Sequence, residues 1–207
     1  MTTATEESID LTEYKAPERA STWERALQNV IPVARGFVRF KLNPFHRSSG
    51  GKLVRIRGSL KLKDEGVFTF GTRVNLRGKH IPISIHVAKG ATLQMGNRVS
   101  INYGVDIGCF HSITLGNDVR VGPMTSILDD PLHEVEPGMP SRPKTIVIED
   151  NVWITRNCVI QPGVTIGRNS VIASGSVVTK DIPANSLAGG APARVIRELT
   201  IPDGWRR

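Results

Sequence analysis

An aliphatic residue recurs at every sixth position through the C-terminal part of the sequence. Six successive positions obey this rule without a slip: Ile148, Ile154, Ile160, Ile166, Ile172 and Val178. Four residues after each stands a second small or aliphatic residue: Val152, Cys158, Val164, Ser170, Ser176 and Ile182. A period of six fits neither the 3.6 residues of a helical turn nor the alternation of an amphipathic strand. The spacing predicts an all-β solenoid of short strands and turns, a parallel β-helix with an aliphatic interior.

The same pattern extends towards the N-terminus in groups of three hexads, with two residues added at each join. Its core positions there are Met95, Ile101, Ile107, Leu115, Val121 and Ile127. Three hexads predict one triangular coil, and successive coils should stack at the strand spacing of about 4.8 Å. Residues 20 apart, such as Ile107 and Ile127, are therefore expected to lie one above the other.

One coil carries an insertion. Met95 and Leu115 are 20 residues apart, whereas Leu115 and Ile148 are 33 apart, which leaves a surplus of 13 residues. The surplus predicts a loop from Leu128 to Thr145. Long loops on a rigid scaffold usually carry function.

The composition favours a cytoplasmic protein with a core of small side chains. Aromatic residues make up 5% of the chain, beside 20 glycines and 13 prolines. Two cysteines, Cys109 and Cys158, are too few for a disulfide framework, and we expect them to be packing residues in a reducing compartment. No run approaches the roughly 18 apolar residues of a membrane span, and the first 20 residues lack the apolar stretch of a signal peptide.

The positive charge is concentrated near the N-terminus. Residues 1–63 hold 12 Lys and Arg against 6 Asp and Glu, and so carry +6 of the formal +8. A solvated face is the ordinary interpretation of such a segment, and weak peripheral association with the inner face of a membrane stays open. Nothing in the chain resembles a nucleic-acid-binding signature, so no nucleic-acid partner is expected.

A helix is predicted before the repeat. Ser21 to Glu24 forms a capping box that opens a helix to about Ala34, shortened or kinked at Pro32. Its apolar face would comprise Trp23, Leu27, Val30 and Ile31 and pack on the end of the solenoid. Residues 37–42 predict a further helical turn, and residues 53–70 alternate like strands. The predicted division is a basic, partly helical extension (1–63), a β-helix (64–200) with the insertion 128–145, and a tail (201–207).

The last coils resemble the closing pattern of the hexapeptide-repeat acyltransferases. Three segments carry the resemblance: Ile148-Glu-Asp-Asn-Val-Trp-Ile154, Gly175-Ser-Val-Val-Thr-Lys-Asp-Ile-Pro183 and Ala188-Gly-Gly-Ala-Pro-Ala-Arg-Val-Ile-Arg-Glu-Leu199. The similarity extends over about residues 67–200 and is greatest to the sugar O-acetyltransferase branch, typified by galactoside and maltose acetyltransferases. It implies a left-handed β-helix, a homotrimer, acetyl-CoA as co-substrate, no metal, and a hydroxyl of a sugar or glycan as acceptor.

The resemblance also implies a catalytic histidine. His133 is the only histidine of the insertion, and it stands where the family's loop carries its general base. Imidazole suits this role because its ordinary pKa lies near working pH. The family often has a proline directly after this histidine, whereas Glu134 follows here.

Five further residues are candidates for contacts with the acceptor or with His133. Coil spacing places His111 beside the root of the loop, either as a substrate ligand or as a corner histidine with a satisfied ring. Asn102 matches an asparagine that borders the acceptor sugar in relatives. Asp129, Asp130 or Glu134 could orient His133 or bind a sugar hydroxyl, and the sequence does not choose among them.

The coenzyme A candidates lie in the closing segments. The resemblance assigns phosphate or adenosine contacts to Thr179, Lys180, Arg194 and Arg197, and cations suit those phosphates. It assigns the groove lining to Trp153, Ser174, Ala188 and Gly189. Packing of Trp153 at a trimer interface and a surface role for Arg197 are the alternatives. Arg156 replaces a residue that is commonly small in relatives.

Two other functions remain open at this stage. A γ-type carbonic anhydrase shares the solenoid but needs three histidines on zinc. His80 and His86 are one hexad apart, and no third ligand is evident. A non-catalytic trimeric scaffold is the other alternative, against which His133, Lys180 and Arg194 argue.

Overall fold

The hexads fold into very short strands separated by turns. The computed structural model describes residues 22–42, 49–134 and 136–207. Helix α1 (Thr22–Phe37) and a π-helical turn (Val38–Leu42) come first. The strands are β1 (Ser49–Gly50), β2 (Arg55–Asp64), β3 (Val67–Phe70), β4 (Asn75–Val87), β5 (Thr92–Met95), β6 (Ser100–Ile101), β7 (Asp106–Cys109), β8 (Ser112–Leu115), β9 (Arg120–Val121), β10 (Ser126–Leu128), β11 (Ile146–Ile148), β12 (Trp153–Ile154), β13 (Val159–Ile160), β14 (Thr165–Ile166), β15 (Val171–Ile172), β16 (Val177–Val178), β17 (Ser186–Gly190) and β18 (Ala193–Glu198).

The strands pair in three parallel ladders that form the sides of a triangular prism. Ladder 1 has the order β1-β3-β5-β8-β11-β14. Ladder 2 contains β6-β9-β12-β15-β17, and β18 pairs antiparallel with β17. Ladder 3 contains β7-β10-β13-β16, and the long strands β2 and β4 pass from ladder 2 into ladder 3. The prediction of an all-β, left-handed parallel β-helix with a helical N-terminal segment is confirmed, with about 7 turns.

The registers confirm the coil arithmetic. Ile127 pairs with Ile107 below and Ile160 above, and Ile160 pairs with Val178. All four side chains are buried, as expected for an interior built from stacked aliphatic residues. The ladders also include residues before the clean repeat, because β1 pairs with β3 and β2 pairs with β4 in parallel.

An asparagine ladder lines the edge between ladders 1 and 2. Asn151, Asn169 and Asn185 all have a φ between 55° and 62°, a left-handed conformation that asparagine tolerates better than most residues. The Asn151 Nδ2 atom donates to Asn169 Oδ1 at 2.9 Å, and Asn169 Nδ2 donates to Asn185 Oδ1 at 2.8 Å. These bonds tie three successive coils at one edge.

Helix α1 packs on the first coil, but with a different face from the one predicted. Val30 and Ile31 are exposed, so their assignment to the packed face is wrong. Pro32 and Gly36 are buried instead, and a Cβ on Gly36 would overlap the backbone of Val54. The close backbone approach therefore decides which side of the helix faces the solenoid. Ser21 and the side chains of Trp23 and Leu27 lie outside the described part of the chain.

The helix is also longer than predicted. It continues through Pro32 to Phe37 instead of ending near Ala34. The π-helical turn that follows buries Phe40, whose ring centroid lies 4.6 Å from that of Phe70. Within the described residues, no helix combines the length and apolar character needed to cross a bilayer.

Candidate active site

The insertion leaves the prism at the edge between ladders 3 and 1. Its start is one residue later than predicted, because Leu128 belongs to β10 and pairs with Gly108. Strand β10 lies in ladder 3 and the next strand, β11, lies in ladder 1. The loop 129–145 therefore projects from the edge that faces away from ladder 2.

A buried carboxylate fixes the root of this loop. Asp129 Oδ1 accepts the backbone N–H of Phe110 at 2.7 Å. Its Oδ2 accepts those of His111 and Ser112 at 2.9 and 2.8 Å. The side chain is fully buried, so three backbone donors replace its water shell. Asp129 thus fastens the loop to the coil beneath, and its role towards a sugar or His133 stays a prediction.

A second carboxylate joins the two limbs of the loop. Asp130 Oδ1 accepts the backbone N–H of Leu132 at 2.7 Å, and Oδ2 accepts the hydroxyl of Ser141 at 3.2 Å. The third acidic candidate, Glu134, accepts the backbone N–H of Gly138 at 3.1 Å. All three acidic candidates therefore make hydrogen bonds that shape the loop.

His133 lies in a cleft of about 410 Å³ between the loop and the solenoid. The cleft is lined by Pro131, His133, Met139, Pro140, Ser141, Arg142, Lys144, Gln161 and Pro162. The His133 side chain is exposed, and its ring has no hydrogen-bond partner among the described residues. The imidazole is therefore accessible from the cleft.

Two of the coenzyme A candidates share this edge with His133. The Gln161 N–H donates to the carbonyl of Val178 at 3.0 Å, which places the residues after Val178 one coil beyond the cleft. Those residues are Thr179 and Lys180, both exposed. His111 is also exposed on this edge, below the loop.

The other candidates gather on ladder 2 and its edge with ladder 3. Trp153 is in β12 and 42% exposed, and Asn102 follows β6. In the β17–β18 hairpin Gly189 pairs with Arg194 and Leu187 pairs with Arg197. These cations therefore lie at the C-terminal end of the same ladder as Trp153.

Small residues keep the adjoining edge narrow. Ala188 is fully buried in the hairpin, and a Cβ on Gly189 would come within 2.9 Å of the Ala173 side chain. The Ser174 hydroxyl lies 3.1 Å from that of Thr155. Arg156, which follows Thr155, is exposed at this edge.

The structure thus divides the predicted site into two halves. One half, at the edge between ladders 3 and 1, comprises His111, Asp129, Asp130, His133, Thr179 and Lys180. The other half, on ladder 2 and its edge with ladder 3, comprises Asn102, Trp153, Ser174, Ala188, Gly189, Arg194 and Arg197. Because the edge between ladders 3 and 1 is opposite ladder 2 in a triangular prism, one chain does not bring the halves together.

The two other histidines in the described part of the chain, His80 and His86, pack against aromatic rings. The rings of His80 and Tyr103 meet edge-on at 5.3 Å, and those of His86 and Phe110 at 5.2 Å. Among the described residues no group of three or more His, Cys, Asp or Glu is placed to hold a metal ion. The three-histidine set of the carbonic anhydrase alternative is therefore not assembled in this part of the chain.

Both cysteines are buried, as predicted for packing residues. The Cys109 thiol lies 3.4 Å from the carbonyl of Thr92. Burial and the nearby Asp129 carboxylate raise the pKa of Cys109 to about 12. This thiol is therefore protonated at neutral pH.

A groove lined by arginines was not predicted. The groove lies on ladder 2 and has a volume of about 580 Å³. Its lining is Arg55, Arg73, Asn75, Arg77, Arg98, Ser100, Asn102, Arg120, Val121, Gly122, Trp153, Trp205 and Arg207. The sequence contains a sign of this groove. Arg55, Arg120 and Trp153 each stand directly before a buried aliphatic residue of the stack, and so occupy the same position of the repeat.

The chain thus combines three parallel ladders around an aliphatic interior with a histidine loop at one edge of the prism. Residues 145–180 match the family described as bacterial transferase hexapeptide (six repeats). The chain is similar to the galactoside O-acetyltransferase of Escherichia coli, with 39% identity over 122 residues, which cover 58% of this chain and 60% of that protein. The resemblance to the hexapeptide-repeat acyltransferases is confirmed. The matches cover only 55% to 60% of the length of the first curated relatives.

Two solved structures share the fold. A hexapeptide-repeat containing acetyltransferase from Vibrio cholerae superposes with a TM-score of 0.51 at 28% identity, covering 88% of this chain and 96% of that chain. A mutant of AntD, an N-acyltransferase from Bacillus cereus in complex with dTDP and coenzyme A, gives a TM-score of 0.61 at 19% identity. That second match covers 74% of this chain and 84% of that chain, and it concerns the fold alone.

Proposed function

We propose that this chain is a CoA-dependent O-acetyltransferase that acetylates a hydroxyl of a sugar or glycan, with His133 as general base. One observation carries the proposal: His133, which has no hydrogen-bond partner among the described residues, lies in a cleft one coil from Thr179 and Lys180. A base next to an ammonium group suits a reaction in which a hydroxyl attacks the thioester of a phosphate-bearing donor. The similarity to galactoside O-acetyltransferase supports the same chemistry.

The reaction follows from these roles. The imidazole of His133 removes the proton of the acceptor hydroxyl while its oxygen attacks the thioester carbonyl carbon. The tetrahedral intermediate collapses, the carbon–sulfur bond breaks, and the imidazolium returns the proton to the leaving thiolate. The products are an acetyl ester and free coenzyme A. Asp129 and Asp130 act as positioning residues because they hold the loop that carries the base.

We further propose that the working site lies between neighbouring chains of a homotrimer. Its two halves lie on opposite sides of the prism, so His133 of one chain would meet ladder 2 of the next. Trp153, 42% exposed, and Asn102 would face the partner's loop. A cyclic, head-to-tail interface joins two different surfaces in this way and closes into a ring.

The test is acetyl-CoA turnover with a panel of acceptor sugars, followed by free-thiol release and by mass spectrometry of the sugar product. Acceptor-dependent thiol release and one added acetyl ester are expected. His133→Ala should abolish most of the signal, whereas His80→Ala, whose ring packs on Tyr103, should retain it. Failure of the protein to bind acetyl-CoA, or turnover that is the same in His133→Ala, would overturn the proposal.

A further inference from the structure

The arginine groove on ladder 2 follows one register column. Arg55 pairs with Asn75, Asn75 with Ser100, and Ser100 with Arg120. Arg120 in turn pairs with Trp153. Four rungs at about 4.8 Å each make this column roughly 19 Å long, which exceeds the length of one monosaccharide. The column can therefore contact an extended ligand.

The charge of this groove is not neutralised by its own lining. Six arginines line it, and none of the described lining residues is acidic. Arg98 is engaged by Asp118, with both bonds at 2.6 Å, and the Arg207 guanidinium donates to the carbonyls of Asn151 and Asn169. The Arg55 Nε atom is buried and has no hydrogen-bond partner within the part of the chain that the structure describes. The Arg120 side chain is exposed and has no hydrogen-bond partner among the described residues.

Burial and the positive charges of neighbouring arginines lower the pKa of two guanidinium groups in the groove. Burial first, and then the charges of Arg57 and Arg120, lower the pKa of Arg77. Burial and then Arg120 lower the pKa of Arg207. Guanidinium groups stay protonated at neutral pH despite such shifts. The groove therefore concentrates positive charge in a partly desolvated place, which favours an anionic ligand.

Two aromatic side chains complete the lining. Trp153 and Trp205 are 42% and 44% exposed, and such rings can pack on the apolar face of a sugar. Arginine presents a planar fork that matches phosphate and carboxylate oxygens. Asn102, the predicted acceptor contact, lies in the same groove.

We infer that this groove is the acceptor subsite and that it selects a sugar carrying a phosphate or carboxylate group, held chiefly by Arg120 with Arg55 and Arg77. The inference rests on the proposed function, because it assigns the groove to the acceptor of that reaction. Two of the donor cations, Arg194 and Arg197, lie in the β17–β18 hairpin at the C-terminal end of the same ladder. Arg197 shares the register column of Trp153 but is separated from it by Val171 and Leu187. These two rungs are apolar and suit the pantetheine arm, with Trp153 at the junction of donor and acceptor.

The experiment measures binding to the full chain without acetyl-CoA. Galactose, galacturonate and galactose 1-phosphate share one ring type and differ in their anionic group, and inorganic pyrophosphate is a sugar-free probe. Titration calorimetry should give at least about tenfold tighter binding for one anionic sugar than for galactose, weakening as salt rises. Tighter binding of galacturonate would show that the groove prefers a carboxylate, and tighter binding of galactose 1-phosphate would show that it prefers a phosphate.

Substitutions then assign the binding to the groove. Arg120→Gln should lower the affinity for the anionic probe at least about tenfold. Arg120→Lys, which keeps the charge but lacks the forked guanidinium group, should lower it less. Affinity for acetyl-CoA should not change. Arg168→Gln is the matched control, because Arg168 is an exposed arginine outside the groove.

Three results would overturn the inference. The first is that no anionic probe binds to the wild type. The second is that Arg120→Gln loses affinity for acetyl-CoA and keeps its affinity for the anionic probe. The third is that Arg120→Gln dissociates into smaller oligomers while its affinity for the anion is unchanged. The last result would assign the arginines to subunit packing. If Arg120→Gln loses anion binding and the wild type transfers no acetyl group, the groove is an anion site and the proposed function is wrong. If the wild type acetylates galactose efficiently and Arg120→Gln does so equally well, the proposed function stands and the inference about the groove is wrong.

Discussion

Asp129 and His111 are joined by a hydrogen bond in which the His111 backbone N–H donates to Asp129 Oδ2 at 2.9 Å. The same carboxylate accepts two further backbone donors, from Phe110 and Ser112. The loop of the candidate base and the corner that carries the second histidine therefore depend on one buried side chain. Its substitution should affect stability and catalysis together.

Asp129→Asn should lower the free energy of unfolding by about 1–3 kcal/mol, because the amide turns one acceptor into a donor that faces backbone N–H groups. It should also lower kcat, since the loop loses its anchor. Urea unfolding at fixed protein concentration measures the first effect. Asp181→Asn is the control for stability, because the exposed Asp181 accepts one backbone N–H, from Thr165. Equal losses in both variants would contradict the anchoring role.

His133→Ala should reduce kcat by about 10² to 10⁴ while fold and acetyl-CoA affinity stay intact. The loop lies outside the stacked ladders, so loss of its exposed side chain removes no core contact. His111→Ala should mainly raise the KM of the acceptor. The reverse outcome, kcat lost in His111→Ala and kept in His133→Ala, would exchange the two roles. Full activity in both variants would contradict the general-base mechanism.

Lys180→Ala and Arg194→Ala should raise the KM for acetyl-CoA, with a larger effect at low salt, because both side chains are exposed and salt screens their contacts with phosphates. Steady-state kinetics with acetyl-CoA and its 3′-dephospho analogue measure the effect. Equal use of the two donors by the wild type and both variants would show that these cations do not contact the 3′-phosphate.

A shared site predicts rescue between two inactive variants. Trimers that contain both His133→Ala and Trp153→Ala chains should regain about a third of wild-type turnover, because one of the three interfaces in each such trimer pairs an intact loop with an intact ladder 2. Co-expression with two different affinity tags isolates such mixtures, and light scattering gives their size. A monomer, or mixed trimers without rescue, would contradict the proposal that the site is shared between chains.

The free energy of unfolding should fall between the two pKa values of Cys109. The thiol has an ordinary pKa of 9.0 and a pKa of about 12 in the fold. Below 9.0 it is protonated in both states and contributes no pH dependence. Above 9.0 only the unfolded chain ionises, so stability falls by up to about 1.4 kcal/mol per pH unit until the folded pKa is reached. Wild type should lose more stability than Cys109→Ala from about pH 8 to about pH 11. A constant difference would contradict the raised pKa.

The hexad rule predicted the stack because a period of six repeats every contact at the same place on the prism. Ile107, Ile127 and Ile160 could thus be aligned from the sequence. The first coils were less visible, since β2 and β4 run through an edge where a shift in register replaces a regular turn. The face of helix α1 depended on how closely Gly36 approaches another segment, which hydrophobic spacing does not encode.

The site was predictable where it repeats a family motif and hidden where it depends on register. His133, Lys180 and Arg194 stand in recognisable segments. Arg55 and Arg120 are 65 positions apart in the sequence and line one groove only because the coils pair in register. The division of the site between opposite sides of the prism required the ladder order.

The loop that carries His133 is bypassed by the stack. Ser126 and Ile127 pair directly with Val159 and Ile160 of the next coil, and Ile146 pairs with Ile113, so every rung is complete without the residues between Pro131 and Arg142. That segment can be exchanged for another of different length or chemistry while the scaffold stays unaltered. Evolution can therefore vary the loop that carries His133 independently of the stacked strands that stabilise the fold. A loop grafted from a relative offers a direct route to a changed acceptor.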